Sequence, residues 1–416
     1  MKLQGLLLVV SASALAAPAS ATDLYVGSPN TAFAHSSPPG GPFQLLSACG
    51  GPVAALAGEG GELYVASTFE SVYRYRHDAQ FTELWAILPG ETLTGIAIRG
   101  HELLVATASS RVVALDRSLG TVLREWNTPI APTTLAVDRG ELFAGTPFGA
   151  AMRLEGDGTV SFLGSCGSNI AGIAASATEL FLGSAGAFVW RVDRSTGFVT
   201  TSFAVAEDPT GIVYDQGLLY VSSATGRVRT YAASNGALLA TQNWGNPISA
   251  LALGRASAGT AYCFGDAAVC PCGFGDPFGG CPSNLGVGAR LVTYGSASFA
   301  ADDLELAALD VPSTTLGRFY MGAGVVQVPF GNGLLCAGSG GYGQFRFPVQ
   351  SAQANGFNRA FRFGPGIVAH SQQNFGALGA IQPGSTWRFQ AWYRDALNPC
   401  GGAFNTSNAT SVTFLP

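Results

Sequence analysis

Four side chains with hard oxygen donors stand at repeating positions in this 416-residue chain: Glu91, Asn169, Asp208 and Asn246. Each comes just before a run of alternating apolar residues: LTGIAI, IAGIAA, PTGIVY and ISALAL. Carboxylate and amide oxygens are the ligands that Ca²⁺ takes. If a repeat architecture gathers the four around one axis, they form a calcium site, and a bound ion could activate water for attack on a small substrate. Glu91 and Asn246 lie four residues ahead of Gly95 and Ala250, whereas Asn169 and Asp208 lie three ahead of Gly172 and Gly211, so the register is not uniform. Asn and Asp also populate loops because their side chains bond nearby backbone. Both readings stand at this point.

The element that must position these residues is a six-residue phrase. It reads DLYVGS from Asp23, ELYVAS from Glu62, ELLVAT from Glu102, ELFAGT from Glu141, ELFLGS from Glu179 and LLYVSS from Leu218. The equivalent leucines Leu24, Leu63, Leu103, Leu142, Leu180 and Leu219 are 39, 40, 39, 38 and 39 residues apart. Self-similarity at a fixed period means a repeat architecture. Each unit holds four short strand-like runs divided by turn residues, which favours propeller blades over a solenoid. The segments from Asp116 to Gly120 and Asp193 to Gly197 place Asp at the start and Gly at the end of a tight hairpin. The first phrase has no alternating strand before it, and ISALAL at Ile248–Leu253 has no phrase after it. Pairing these two would close the ring and remove two exposed sheet edges. The expected fold is therefore all-β: a six-bladed β-propeller over 22–254, closed by its N-terminal and C-terminal strands, a linker at 255–259, and an antiparallel β-sandwich over 260–416.

The stretch PTGIVYDQGLLYVSS resembles the NHL-type repeat, and ALDRSLGTVLREW resembles the turn of PQQ-like and YVTN-type propeller repeats. The resemblance covers about 230 residues and implies a propeller fold. Quinone-dependent dehydrogenases built from PQQ-like repeats have eight blades, so with six no quinone is expected here. By residue type, Glu91, Asn169, Asp208 and Asn246 resemble the metal set of six-bladed gluconolactonase-like enzymes, which implies lactone hydrolysis as an alternative function. The CFGD, CPCG, GLLC and WYRD segments, with the PCGGAFNTSNA ending, resemble a C-terminal module of secreted planctomycete proteins that carries no established activity.

Cysteine supplies the second kind of chemistry. Cys263, Cys270, Cys272, Cys281, Cys336 and Cys400 fall in the 260–416 module and read as three disulfides, with a four-thiolate zinc site as the alternative. Cys336–Cys400 is the one pairing we expect; the connectivity of the other four stays open. Cys49 and Cys166 are 117 residues apart, three repeat periods, and could bridge the channel mouth or remain as thiols. Trp387, Phe389, Ala391 and Tyr393 share one strand face, and Arg388, Gln390, Trp392 and Arg394 the other. Trp392 is either a sugar platform or a covered patch. Asn405 and Asn408 begin glycosylation sequons.

Bulk properties narrow the function class. Charged residues make up 11% of the chain and its net charge is −5, with Lys2 the single lysine, so no nucleic-acid partner is expected. Lys2, the apolar run from Leu6 to Ala17 and Ala19-Ser20-Ala21 form a secretory signal pattern with cleavage after Ala21. No apolar run is long enough to span a bilayer. Nucleophile-elbow, zinc-protease and phosphate-loop motifs are missing, and His35, His77, His101 and His370 read as scattered surface residues. We expect an exported monomer that binds a protein or glycan ligand through the propeller face, with the C-terminal module for attachment or sorting. No cofactor is expected beyond the candidate Ca²⁺. A metal-dependent hydrolase or lyase is the alternative.

Overall fold

The computed structural model describes residues 23–416 except 38, 78, 256, 356, 357 and 399; the signal-type segment at 1–21 lies outside the described residues. The chain opens with β1 (Asp23–Gly27), β2 (Ala32–Ser36) and β3 (Gln44–Ala48), then β4 (Val53–Glu59), β5 (Glu62–Ser67), β6 (Ser71–Arg76) and β7 (Phe81–Ile87). Four antiparallel four-stranded sheets follow. They are β8 (Leu93–Arg99), β9 (Glu102–Thr107), β10 (Arg111–Asp116) and β11 (Val122–Asn127), and β12 (Thr134–Asp138), β13 (Glu141–Gly145), β14 (Ala150–Leu154) and β15 (Val160–Ser165). The next two are β16 (Ile170–Ala175), β17 (Glu179–Ser184), β18 (Phe188–Asp193) and β19 (Val199–Ala204), and β20 (Pro209–Asp215), β21 (Leu218–Ser223), β22 (Arg227–Ala232) and β23 (Leu238–Asn243). The strand β24 (Ala250–Arg255) returns to β1 and pairs with it antiparallel, Asp23 opposite Gly254 and Gly27 opposite Ala250. A short parallel contact of β24 with β4 joins the first seven strands and β24 into one eight-stranded sheet.

The repeated phrase forms β1, β5, β9, β13, β17 and β21, the strand second from the centre in each sheet. β5 and β9 are buried along their whole length, which is why the phrase is continuously apolar rather than alternating. Burial falls away outward, and β19 is almost wholly exposed. The glycine before the apolar run of β8, β16 and β20 has a packing reason. A Cβ on Gly95 would meet Leu135 N at 3.1 Å, on Gly172 the Ile212 N at 2.6 Å, and on Gly211 the Leu251 Cβ at 2.9 Å. Glycine there lets β8 approach β12, β16 approach β20, and β20 approach β24. The hairpin turns behave as their residues require: Gly120 and Gly197 have φ of 69° and 74°, and Asp116 and Asp193 Oδ1 accept from Ser118 and Ser195 N at 2.8 and 3.0 Å.

The remainder is also strand-rich. A six-stranded sheet contains Thr260–Tyr262, Phe404–Thr413, Thr386–Arg394, Leu316–Gly322 and Gln344–Arg346, with Gln350–Ser351 on its edge, and a four-stranded sheet contains Arg290–Tyr294, Glu305–Leu309, Asn358–Phe363 and Gln353–Asn355. Leu291, Leu306, Phe319, Phe361, Phe389 and Val412 from both sheets share one core. Two helices, α1 (Ile367–Asn374) and α2 (Gly376–Gly379), occupy the stretch after Phe363, for which the sequence predicts no element. The α1 N-terminus is satisfied from a distance: Val368 N and Ala369 N donate to the Asp302 carboxylate at 2.7 and 2.9 Å.

Three disulfides are present: Cys263–Cys336, Cys270–Cys281 and Cys272–Cys400. The expected Cys336–Cys400 pair is not formed, because Gly333–Gly338 lies against Phe404–Thr413 and brings Cys336 within 6.2 Å (Cα–Cα) of Cys263, while Cys400 turns back toward Cys272. With these sulfurs bonded to each other, the four-thiolate zinc alternative is also removed. The face assigned to Gln390 is covered rather than open. Its amide Nε2 donates to Leu334 O and Ser407 O at 2.8 and 2.7 Å, while its Oε1 accepts from Tyr320 Oη and from Cys336 N at 2.8 Å. Trp392 packs on Phe404, with ring centroids 5.7 Å apart. Asn405 and Asn408 are buried, their amides bonded to Cys281 O and Leu291 N, so neither sequon is accessible in the folded chain.

Candidate functional site

The central strands β4, β8, β12, β16, β20 and β24 together line a cavity of about 590 Å³. Its walls mix small residues such as Ala55, Thr94 and Ser249 with larger apolar ones such as Ile96, Ile173 and Ile212. At the end where these strands begin, the four oxygen-bearing residues sit in the preceding loops, and none of them is among the residues lining the cavity.

Both carboxylates are engaged locally. Glu91 accepts from Ser109 Oγ at 2.5 Å and pairs with Arg111 at 2.7 Å, and these bonds, the serine's first, hold its carboxyl below the usual range. Asp208 Oδ1 accepts from Gly186 N at 3.0 Å. Asn169 and Asn246 are exposed. A more heavily engaged neighbour of the four is Glu207, which sequence reading passed over. It pairs with Arg227 at 2.6 Å and Arg229 at 2.7 Å and accepts from Thr225 Oγ1, and these contacts depress its carboxyl strongly, Arg229 most. A carboxylate already neutralised by arginine is a poor cation ligand, which counts against Glu91 among the four. Titrating the purified protein with Ca²⁺ should give the same affinity for wild type and Asp208→Ala; a loss in the variant alone would restore the calcium reading.

Cys49 and Cys166 are free. They are equivalent, as their spacing implies: Cys49 Sγ donates to Thr31 O and Gly51 O at 3.4 and 3.1 Å, and Cys166 Sγ to Gly149 O and Ser168 O at 3.5 and 3.2 Å. Of the two alternatives it is the free thiols that are found, because each cysteine follows the outermost strand of its sheet, β3 or β15, away from the channel mouth. Alkylation of the unreduced, unfolded protein should therefore add two groups by intact mass, and eight after reduction; no addition before reduction would restore the bridge.

The opposite end of the central strands is occupied. Arg117, 1% exposed, pairs with Glu59, donates to Gly100 O at 2.8 Å and lies 4.4 Å from the Tyr294 ring centroid. Glu62 accepts from Tyr64 Oη at 3.0 Å and faces Arg74, Arg290 and Arg117 at 3.7, 3.8 and 3.9 Å. Burial pushes the Glu62 carboxyl up, and the three guanidiniums more than offset this and hold it below the usual range. Arg362 reaches Asp116 at 2.9 Å, and Leu119 enters an apolar cluster with Tyr294, Ala307 and Leu309. A cleft of about 1070 Å³ remains beside this contact. Its polar walls are partnered with one another: Glu102 with Arg99 and Arg124, each at 2.8 Å, and His101 Nδ1 with Glu305 at 2.8 Å.

The histidines are not scattered surface residues. His101 meets Glu305, His370 lies among Phe347, Phe363 and Phe375, and His35 and His77 come together beside Asp23. The sequence carried no signal for the last group, since His35 and His77 are not at equivalent repeat positions.

No family model matches the chain, and no curated protein does either. Among solved structures, a chain of the nidogen/laminin complex aligns at 13% identity with a TM-score of 0.50, over 56% of this chain and 98% of that one. A chain from BBS1N in complex with ARL6DN aligns at 16% identity with a TM-score of 0.43, over 55% of this chain and 79% of that one. The first likeness bears on the fold alone. Together with the repeated sheets, it makes this an all-β, β-propeller-like chain with three disulfides, the mark of an oxidising environment. Among the described residues, no helix is long and apolar enough to cross a membrane.

Proposed function

We propose that this chain is an exported interaction scaffold, a six-bladed propeller over 22–254 joined through 255–259 to a disulfide-bonded sandwich over 260–416. The β1–β24 pairing and the common cavity of six central strands support a closed ring. The propeller recognises a protein or glycan on the face where its central strands begin, and the sandwich serves attachment or sorting.

The observation that carries this reading is the difference between the two ends. One is taken up by Arg117, Glu59, Glu62, Tyr294 and Arg290. At the other, Phe69 and Phe148 are 62% and 74% exposed on the β5–β6 and β13–β14 turns. Aromatic side chains standing free on rigid turns are the residues that anchor interfaces. Beside Phe69, the loop before β8 is held by Gly90 N, which donates to Glu70 Oε2 at 2.7 Å, and by the Glu91–Arg111 ion pair, so little ordering cost attends binding there.

The test compares wild type with Phe69→Glu/Phe148→Glu on glycan arrays and by cross-linking in fractions of the source envelope. Saturable retention by wild type, weakened at least about tenfold in the variant at unchanged circular dichroism, is expected if the two aromatics contribute more than 1.4 kcal/mol. Equal retention by both would overturn the assignment of the face. Turnover of a lactone that is lost in Glu91→Gln would move the protein to the hydrolases.

A further inference from the structure

We infer that Asp23, His35 and His77 form a binding site for a divalent transition metal of the Zn²⁺ class, between the β3–β2–β1–β24 and β4–β5–β6–β7 halves of the eight-stranded sheet. The chain builds this site from separate elements. Antiparallel pairing sets His35 on β2 directly opposite Tyr25 on β1. Asp23 lies two residues before Tyr25 and so shares its face. His77 follows β6 and is fixed there by its backbone N–H, which donates to Gly61 O at 3.0 Å. One ligand atom from each of the three side chains lies within 4.8 Å of the others, and the His35 and His77 ring centroids are 5.4 Å apart.

Two features distinguish this group from an accidental cluster. The His35 Nδ1 atom is buried and has no hydrogen-bond partner, a state that costs free energy unless something accepts its lone pair or its proton. The Tyr25 hydroxyl donates to Asp23 Oδ2 at 3.1 Å and lies 2.8 Å from His77 Nε2, so it already orients two of the three ligands, as outer-shell partners of metal ligands do. Tyr75, with its ring 5.0 Å from that of His77, walls the group on its apolar side. Two imidazoles and one carboxylate suit zinc and its first-row neighbours rather than calcium, and three protein ligands leave a coordination position to water. A metal here would tie β1 and β2 to the end of β6.

The experiment uses the full mature chain without a histidine tag, stripped with chelator and titrated with Zn²⁺ and with Co²⁺. Wild type should bind one ion per chain, show the visible absorption of protein-coordinated Co²⁺, and melt at higher temperature with Zn²⁺ than without. Tyr25→Phe should weaken binding roughly 10–100-fold, the range for losing an outer-shell partner, and His35→Ala or His77→Ala should weaken it further. Circular dichroism shows whether each variant folds, and Asp23→Asn, which keeps shape and volume, provides the test if a histidine variant does not. No stoichiometric binding by folded wild type, or equal binding by wild type and the folded ligand variants, would overturn the site.

Discussion

Arg117→Met should cost about 3–5 kcal/mol of stability, the range for removing one partner of a buried ion pair. Methionine nearly fills the volume, so packing is a minor part of the loss. What remains is Glu59, without the guanidinium that balanced its buried charge, and Glu62 with one of its three arginines gone. The Tyr294 ring loses the cation lying 4.4 Å from its centre, and with it a contact that holds the second part of the chain to the first. Urea unfolding followed by tryptophan fluorescence reads the effect, and the variant should unfold in two separated steps as the parts uncouple. Adding Glu59→Gln should recover a portion, because the uncompensated charge is then absent. A loss below about 1 kcal/mol, the scale of a surface ion pair, would show that this network does not hold the two parts together.

The same network sets an acid limit. The Glu62 carboxyl is held below its ordinary value of 4.5 in the folded chain. Such a group contributes stability that is fully present above its unfolded value and is lost as pH falls through the folded one. The stability this contact contributes should therefore diminish as pH falls below about 4.5, read as a falling urea midpoint.

How far the sequence led can be judged residue by residue. The phrase strands were legible because a strand buried on both faces must be continuously apolar, and the Asp-to-Gly turns because their geometry admits few other residues. Gly95, Gly172 and Gly211 were visible as a pattern, but their reason lies in the neighbouring sheet, which a single strand cannot reveal. Gln390 obeys the alternation and is nonetheless buried, since Gly333–Gly338 covers its face and satisfies its amide. Helix α1 was illegible because its N-terminus is satisfied by Asp302, 66 residues before Val368, and not by a local cap. His35 and His77 meet only because the two halves of the eight-stranded sheet adjoin. The oxygen quartet was read by residue type, whereas the deciding residues were Arg111 and Ser109 on the next turn.

Removing the Cys272–Cys400 bridge, by Cys272→Ser/Cys400→Ser, should be the costliest of the three disulfide losses. The bridges span 128, 73 and 11 residues for Cys272–Cys400, Cys263–Cys336 and Cys270–Cys281. If their effect is mainly to restrict the unfolded chain, the stabilisation grows with the logarithm of the closed loop, giving about 5, 4.5 and 3 kcal/mol. Native packing runs against this order, because Cys270 and Cys281 are buried whereas Cys400 is exposed. The ranking therefore separates the two causes. Chain restriction predicts the greatest loss at the most exposed bridge, and contact burial predicts it at Cys270–Cys281. Denaturant unfolding of the double serine variants decides between them, and a larger loss for Cys270→Ser/Cys281→Ser would defeat the entropic account. Exposure adds a kinetic consequence: a mild thiol reductant should open Cys272–Cys400 first, removing the largest closed loop while the two inner bridges remain intact.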